Sequence, residues 1–188
     1  MIKALAAALA LSACAAVAAV EGPYSAAGAY TVTLDRQWSD ISAVMTQRPR
    51  NVRLLSVDGP LLNRLYIASA IEPGQFLVKP ARREAPTPIF RADMSETELV
   101  EFVIDSVAAL GYLRPESRNL RPDLFGGREA VRFEIEAQTP EGLAFSGTAL
   151  LARAGDRLHL ILYLAPTEHY YARLLPHVEQ VFASVRFQ

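Results

Sequence analysis

Val131, Phe133, Ile135 and Ala137 alternate with Arg132, Glu134, Glu136 and Gln138, the period of a strand with one buried face. Pro140-Glu141-Gly142 then turns the chain into residues 143–153, and Ala154-Gly155-Asp156 turns it again into 158–165. The three segments predict an antiparallel meander. Its last member is apolar on both sides, as a central strand covered on two faces requires. Earlier, residues 30–34 alternate as a short strand, with Trp38 after a polar break. Runs at 52–57 and 61–69 flank Asp58-Gly59, a turn dipeptide, and predict a hairpin. A further short strand is expected at 76–78.

Two helices complete the pattern. Ser95 with Glu98 three residues on forms a capping box ahead of Leu99, Phe102, Val103, Val107 and Leu110, which recur at helical spacing. Glu101 and Asp105 fall on the other side, and Gly111 ends the helix. Thr167 is placed to cap a final helix in which Tyr171, Leu174, Leu175, Val178, Val181 and Phe182 share a stripe. Pro176 is expected to kink or divide it, because its ring removes a ladder bond. Val185 and Phe187 alternate in a short terminal strand.

The first residues read differently. Lys3 precedes an unbroken apolar run over 4–11, far short of the roughly 20 residues that span a bilayer, so 1–13 reads as an export signal. Leu11-Ser12-Ala13-Cys14 resembles the bacterial lipobox, which implies that Cys14 is lipidated, becomes the mature N-terminus and anchors the chain in the cell envelope. The competing pattern is small-residue cleavage at Ala16-Val17-Ala18, which discards Cys14. Cys14 is the only cysteine, so no internal disulfide forms. In lipoproteins an Asp after the modified Cys favours the inner membrane; Ala15 here resembles the pattern sent to the periplasmic face of the outer membrane. Residues 14–29 are rich in Ala, Gly and Ser and read as a lipidated Cys with a flexible tether, leaving 30–188 as one domain.

Charge narrows the partners. The whole chain has a formal net charge of -1, and losing Lys3 with the signal takes it to -2. That balance supplies no general field for nucleic acid.

An early Tyr30-Thr31-Val32-Thr33-Leu34 strand, a mid-chain amphipathic helix, a three-strand meander and a last helix running into Ala183-Ser184-Val185-Arg186-Phe187 occur in an order that resembles the PsbP-like fold. That fold is shared by a photosystem accessory subunit, a Ran-binding nuclear protein and bacterial lipoproteins. The resemblance covers about 30–188. It implies an α+β domain, a central antiparallel sheet sandwiched between helices, and a binding or accessory role with no family-wide catalytic residues.

Catalytic chemistry finds little footing. His159 lies on one strand face with Ile161 and Tyr163, where a packed histidine is expected. His169 and His177 are eight apart with Pro176 between them, and no i, i+4 pair suits a metal. No nucleophile elbow, phosphate loop or dinucleotide fingerprint is present, and Gly126-Gly127 reads as a loop hinge. Glu134 and Glu136 take the solvated side of their strand. No metal or cofactor is expected. Two arginine-bearing segments remain, Arg82 and Arg83 within 79–91 and Arg118 and Arg121 within 114–128. Both are expected to be loops and the polar contact sites, although nearby acids offset their charge. The resulting expectation is a membrane-anchored accessory that binds an envelope protein or small ligand. The alternatives are an envelope enzyme with a noncanonical site and a lipid or glycan carrier.

Overall fold

The computed structural model describes residues 17–45, 49–80 and 84–188. Cys14 and the export signal lie outside the described residues, as do Arg82 and Arg83. In chain order the elements are β1 (Ala18–Tyr24), β2 (Tyr30–Asp40), β3 (Val52–Ser56), β4 (Arg64–Ile71), α1 (Glu96–Ala109), β5 (Leu113–Phe125), β6 (Arg128–Gln138), β7 (Ala144–Ala154), β8 (Arg157–Pro166), α2 (Ala172–Ala183) and β9 (Arg186–Phe187). The strands form one antiparallel sheet ordered β1-β2-β3-β4-β8-β7-β6-β5, with β9 added to the start of β2.

The meander folds as its alternation predicts, and the hairpin expected from the runs at 52–57 and 61–69 forms as β3 and β4. β8 lies inside the sheet, between β4 and β7, and serves both faces. Leu158, Leu160, Leu162 and Leu164 join one buried cluster, while Ile161, Tyr163 and Ala165 join the other. The first cluster takes α1 through Leu99, Phe102, Val103 and Val107; the second takes α2 through Leu174, Val178, Val181 and Phe182. Each face of the broad sheet thus carries a single short helix. The sheet dominates the architecture, and the expected picture of a sheet sandwiched between helices overstates their share.

α1 starts as the sequence predicts. The Ser95 hydroxyl accepts the Glu98 N–H, and the Glu98 carboxylate accepts the Ser95 N–H at 2.7 Å. Gly111 follows the C-cap Leu110 with φ +99°, a left-handed conformation that favours glycine.

Four expectations need correction. Within the segment read as tether, Ala18–Tyr24 pairs with β2 from Ala18↔Asp40 to Tyr24↔Val32. Main-chain pairing does not require apolar side chains, and Tyr24 further donates its hydroxyl to Asp40 at 2.8 Å. The sheet therefore begins about a dozen residues ahead of the predicted domain start. Residues 76–78 form no strand; Leu77 and Val78 are buried in an irregular segment, and its neighbour Gln75 accepts the Phe90 N–H at 2.8 Å and donates its own N–H to the Glu72 carbonyl at 3.0 Å. Thr167 does not cap α2: Glu168 and His169 depart from helical geometry, His169 with φ +67°, and α2 starts only at Ala172. Pro176 accordingly falls near the helix start, where a single ladder bond is lost, and α2 runs through it to Ala183.

The fourth correction bears on function. The segment 114–128, expected to be a loop, is largely β5, a thirteen-residue strand at the end of the sheet, hairpinned to β6 through Gly126 and Gly127. Both glycines have positive φ, +58° and +85°, which suits a two-residue turn.

Candidate functional site

Because β5 pairs with β6, its polar side chains stand in register with the acids that the alternation of β6 sets outward. Glu116 lies opposite Glu136, Arg118 opposite Glu134, and Arg121 opposite Arg132. Two bulges interrupt the pairing, between Leu113 and Glu116 and between Arg118 and Arg121. Arg114 and Asn119 occupy them in the left-handed region, with φ +48° and +51°.

The result is a charged lattice on the α2 side of the sheet. Arg118 contacts Glu116 at 2.6 Å and Glu136 at 3.3 Å. Arg121 lies 3.7 Å from Glu134, whose other carboxylate oxygen accepts the Asn119 amide at 2.7 Å. Arg132 ties the lattice to α2 by a short ion pair with Glu179, while Asp123 lies 3.8 Å away. The Arg132 guanidinium also sits 4.9 Å from the Phe182 ring. With a side chain only 12 % exposed, its charge is sheltered, whereas the Arg118 and Arg121 pairs face water and contribute at most about 1 kcal/mol each.

Arg114 stands apart. Among the described residues its guanidinium makes no hydrogen bond or ion pair. It borders an open cleft of about 430 Å³ lined also by Glu116, Arg118, Glu136, Ser146 and Thr167. The Ser146 and Thr167 hydroxyls bond each other at 2.8 Å. Such a surface suits an acidic or polar partner group, which would find a free guanidinium at Arg114 and an exchangeable one at Arg118. The structure brings Arg118 and Arg121 together on one strand. Arg132 and Glu179 were not singled out by sequence reasoning. Their available signal was the polar position of Arg132 in an alternating strand, opposite the polar flank of the last helix.

Of the three histidines, His159 belongs to the core. His159 is buried against Tyr30, Phe125 and Phe187 and accepts the Ala70 N–H on Nδ1 at 3.2 Å. Burial, reinforced by the Arg128 and Arg157 charges, pushes its pKa down to about 4. His177 Nδ1 lies 2.6 Å from Asp35, and the His169 ring packs edge-on to Tyr170. Among the described residues no group of three or more His, Cys, Asp or Glu is placed to hold a metal, and no helix is long and apolar enough to cross a membrane.

No protein-family pattern matches the sequence, and no curated protein matches it. Solved structures do. The cyanobacterial PsbP of Synechocystis sp. PCC 6803 superposes with a TM-score of 0.57 at 13 % identity, covering 88 % of this chain and 91 % of that one. The Saccharomyces cerevisiae Ran-binding protein Mog1p gives 0.53 at 11 % identity over 92 % of this chain and 96 % of its own. The chain has the PsbP/Mog1 fold. A mutant form of Mog1 gives 0.51 at 13 % identity, with the same coverage. At such identities the shared property is the fold, and the resemblance read from the order of elements holds at that level.

Proposed function

We propose that this chain is a lipoprotein, anchored through Cys14 in the cell envelope, on the periplasmic face of the outer membrane. Its PsbP/Mog1 domain acts there as a non-catalytic binding or assembly accessory. The observation that carries the contact reading is the β5–β6 lattice, where Arg114 projects without a partner beside ion pairs that water and a new carboxylate can exchange. Of the similar structures, Mog1p is a Ran-binding protein, a role performed by contact. Leu11-Ser12-Ala13-Cys14 supports the anchor. Cys14 lies four residues before Ala18, a span of at most about 14 Å, so an anchored domain would ride against the membrane surface.

Two measurements test this. Cys14→Ala should abolish labelling by a fatty-acid analogue and release the chain from membranes; unchanged labelling overturns the anchor. Neutralising Arg114, Arg118 and Arg121, with Arg82 and Arg83, should leave the melting temperature nearly unchanged, since exposed charges contribute little to stability. It should weaken recovery of the partner from cross-linked membranes. Unaltered recovery would remove the arginines from the contact.

A further inference from the structure

We propose that the cleft between the β3–β4 and β6–β7 turns binds a monocarboxylate with an apolar body, its carboxylate on the Arg64 guanidinium and its body against Leu61, Leu143 and the Tyr112–Phe145 ring pair. The site is separate from the β5–β6 lattice, and the proposal does not rest on the reading of that surface or of the anchor.

Three connections meet at this end of the sheet. The β3–β4 turn brings Leu61, the end of α1 brings Leu110 and Gly111, and the β6–β7 turn brings 139–143. Together they border an open cleft of about 430 Å³, within the range of small-molecule pockets. The floor is rigid and apolar: the Tyr112 and Phe145 rings lie 4.7 Å apart, and both residues are buried. The walls are not. Leu61 is 77 % exposed and Leu143 50 % exposed, so two leucines face water across the mouth. The β6–β7 turn is fixed by Thr139 N–H donating to the Leu143 carbonyl at 2.9 Å, so Leu143 is presented and does not trail.

The charge of the pocket is specific. Arg64 is half-buried, its Nε donates to the Pro60 carbonyl at 2.6 Å, and its guanidinium carbon lies 5.8 Å from the centre of the Tyr112 ring. That bond uses one of five donors and fixes the fork beside the apolar floor. Among the described residues no carboxylate pairs with Arg64, unlike Arg91, Arg118 and Arg132, which each contact two. Burial raises the Tyr66 phenol to about 12, while the Arg64 guanidinium pulls it down by its charge and a side-chain hydrogen bond, so a second Arg64 donor is turned towards buried Tyr66. A bidentate carboxylate is the matching anion for such a fork. Glu141, on the opposite turn, opposes a second negative charge, which favours a monoanion over a phosphate dianion.

Decanoate is the probe, titrated by calorimetry and by amide chemical shifts into the full chain bearing Cys14→Ser, so that no attached acyl group competes. Saturable binding is expected, at least tenfold tighter than that of methyl decanoate. Arg64→Gln should weaken decanoate at least tenfold and bring it level with the ester. Leu143→Glu, on an exposed turn, should weaken both probes, and Arg157→Gln, outside this cleft and outside the β5–β6 lattice, should change neither. No saturable binding at millimolar decanoate overturns the proposal, as does equal binding of acid and ester. Retention of affinity in Leu143→Glu with a folded circular dichroism spectrum overturns it too, even where Arg64→Gln fails to fold.

Discussion

Phe102 offers the sharpest test of how α1 seats on the sheet. It is 2 % exposed and packs in the α1-side cluster with its ring 6.2 Å from Phe90, at an interplanar angle of 57°. A buried aromatic removes about 150–250 Å² from water, so the transfer contribution alone is about 4–6 kcal/mol. Alanine retains part of that burial, and incomplete collapse of the cavity adds a penalty, leaving about 3–5 kcal/mol for Phe102→Ala. For a domain of this size the melting temperature should fall by roughly 6–20 °C. Glu101, the preceding residue, points to solvent, and Glu101→Ala should stay within about 0.5 kcal/mol. Urea unfolding of both variants, with the slope checked for constancy, reads the two values directly. Equal, small shifts of the two midpoints would mean that the buried side of α1 has been misassigned, and with it the α1-side core.

Gly147 on β7 is a second test: a Cβ there would meet the Tyr163 carbonyl oxygen at 2.7 Å and Leu164 Cδ2 at 2.6 Å. Gly147→Ala should therefore cost about 1–3 kcal/mol in denaturant unfolding, and a neutral result would show that the β7–β8 pairing yields at this point. His159 predicts a pH dependence of stability. Its folded pKa, about 4, lies below the ordinary histidine value near 6.5, so the unfolded chain binds more protons between them. Stability contributed by neutral His159 is full above pH 6.5 and falls as the pH drops towards 4, with a slope approaching about 1.4 kcal/mol per unit. His159→Gln should flatten the profile in that window; an unchanged slope would place the titration elsewhere.

What the sequence disclosed follows from how many faces of each element are dry. β6 alternates because one side meets the α1-side core, and after its exposed start β8 is apolar on both sides but for His159, because both sides are covered. α1 could be bounded to within a residue because its cap is made of local contacts, Ser95 with Glu98, that a sequence spells out. β1 was hidden because Ala18–Tyr24 buries almost nothing and is held by main-chain bonds that any residue makes. Residues 76–78 failed in the opposite way: Leu77 and Val78 are buried, but apolar content without pairing partners is not a strand. The polar lattice was half legible. Arg118 and Arg121 could be suspected, but Glu134 and Glu136, which join Glu116 in pairing with them, come from β6, a register no local pattern reports.

β5 ties these points together, because the features that hid it also decide how it can be used. It ends the sheet and pairs only with β6 among the described strands, so a thirteen-residue edge is open to an added strand. Pro115 and Pro122 lack N–H groups, two bulges break the register, and the Asp123 carboxylate accepts the Leu124 N–H at 2.7 Å. Each device removes or distorts the donors that a partner strand would need, and each also erases the period-two pattern by which a strand is recognised. An edge defended in this way disfavours contact by strand addition. What it leaves available is its side chains: Arg114, Arg118, Arg121 and Asp123 along the α2 side, with Leu120, Pro122 and Leu124 alternating with them towards the other. The contact proposed for β5 would therefore run through side chains and be sensitive to charge and salt, and the arginine substitutions probe it where backbone changes would not.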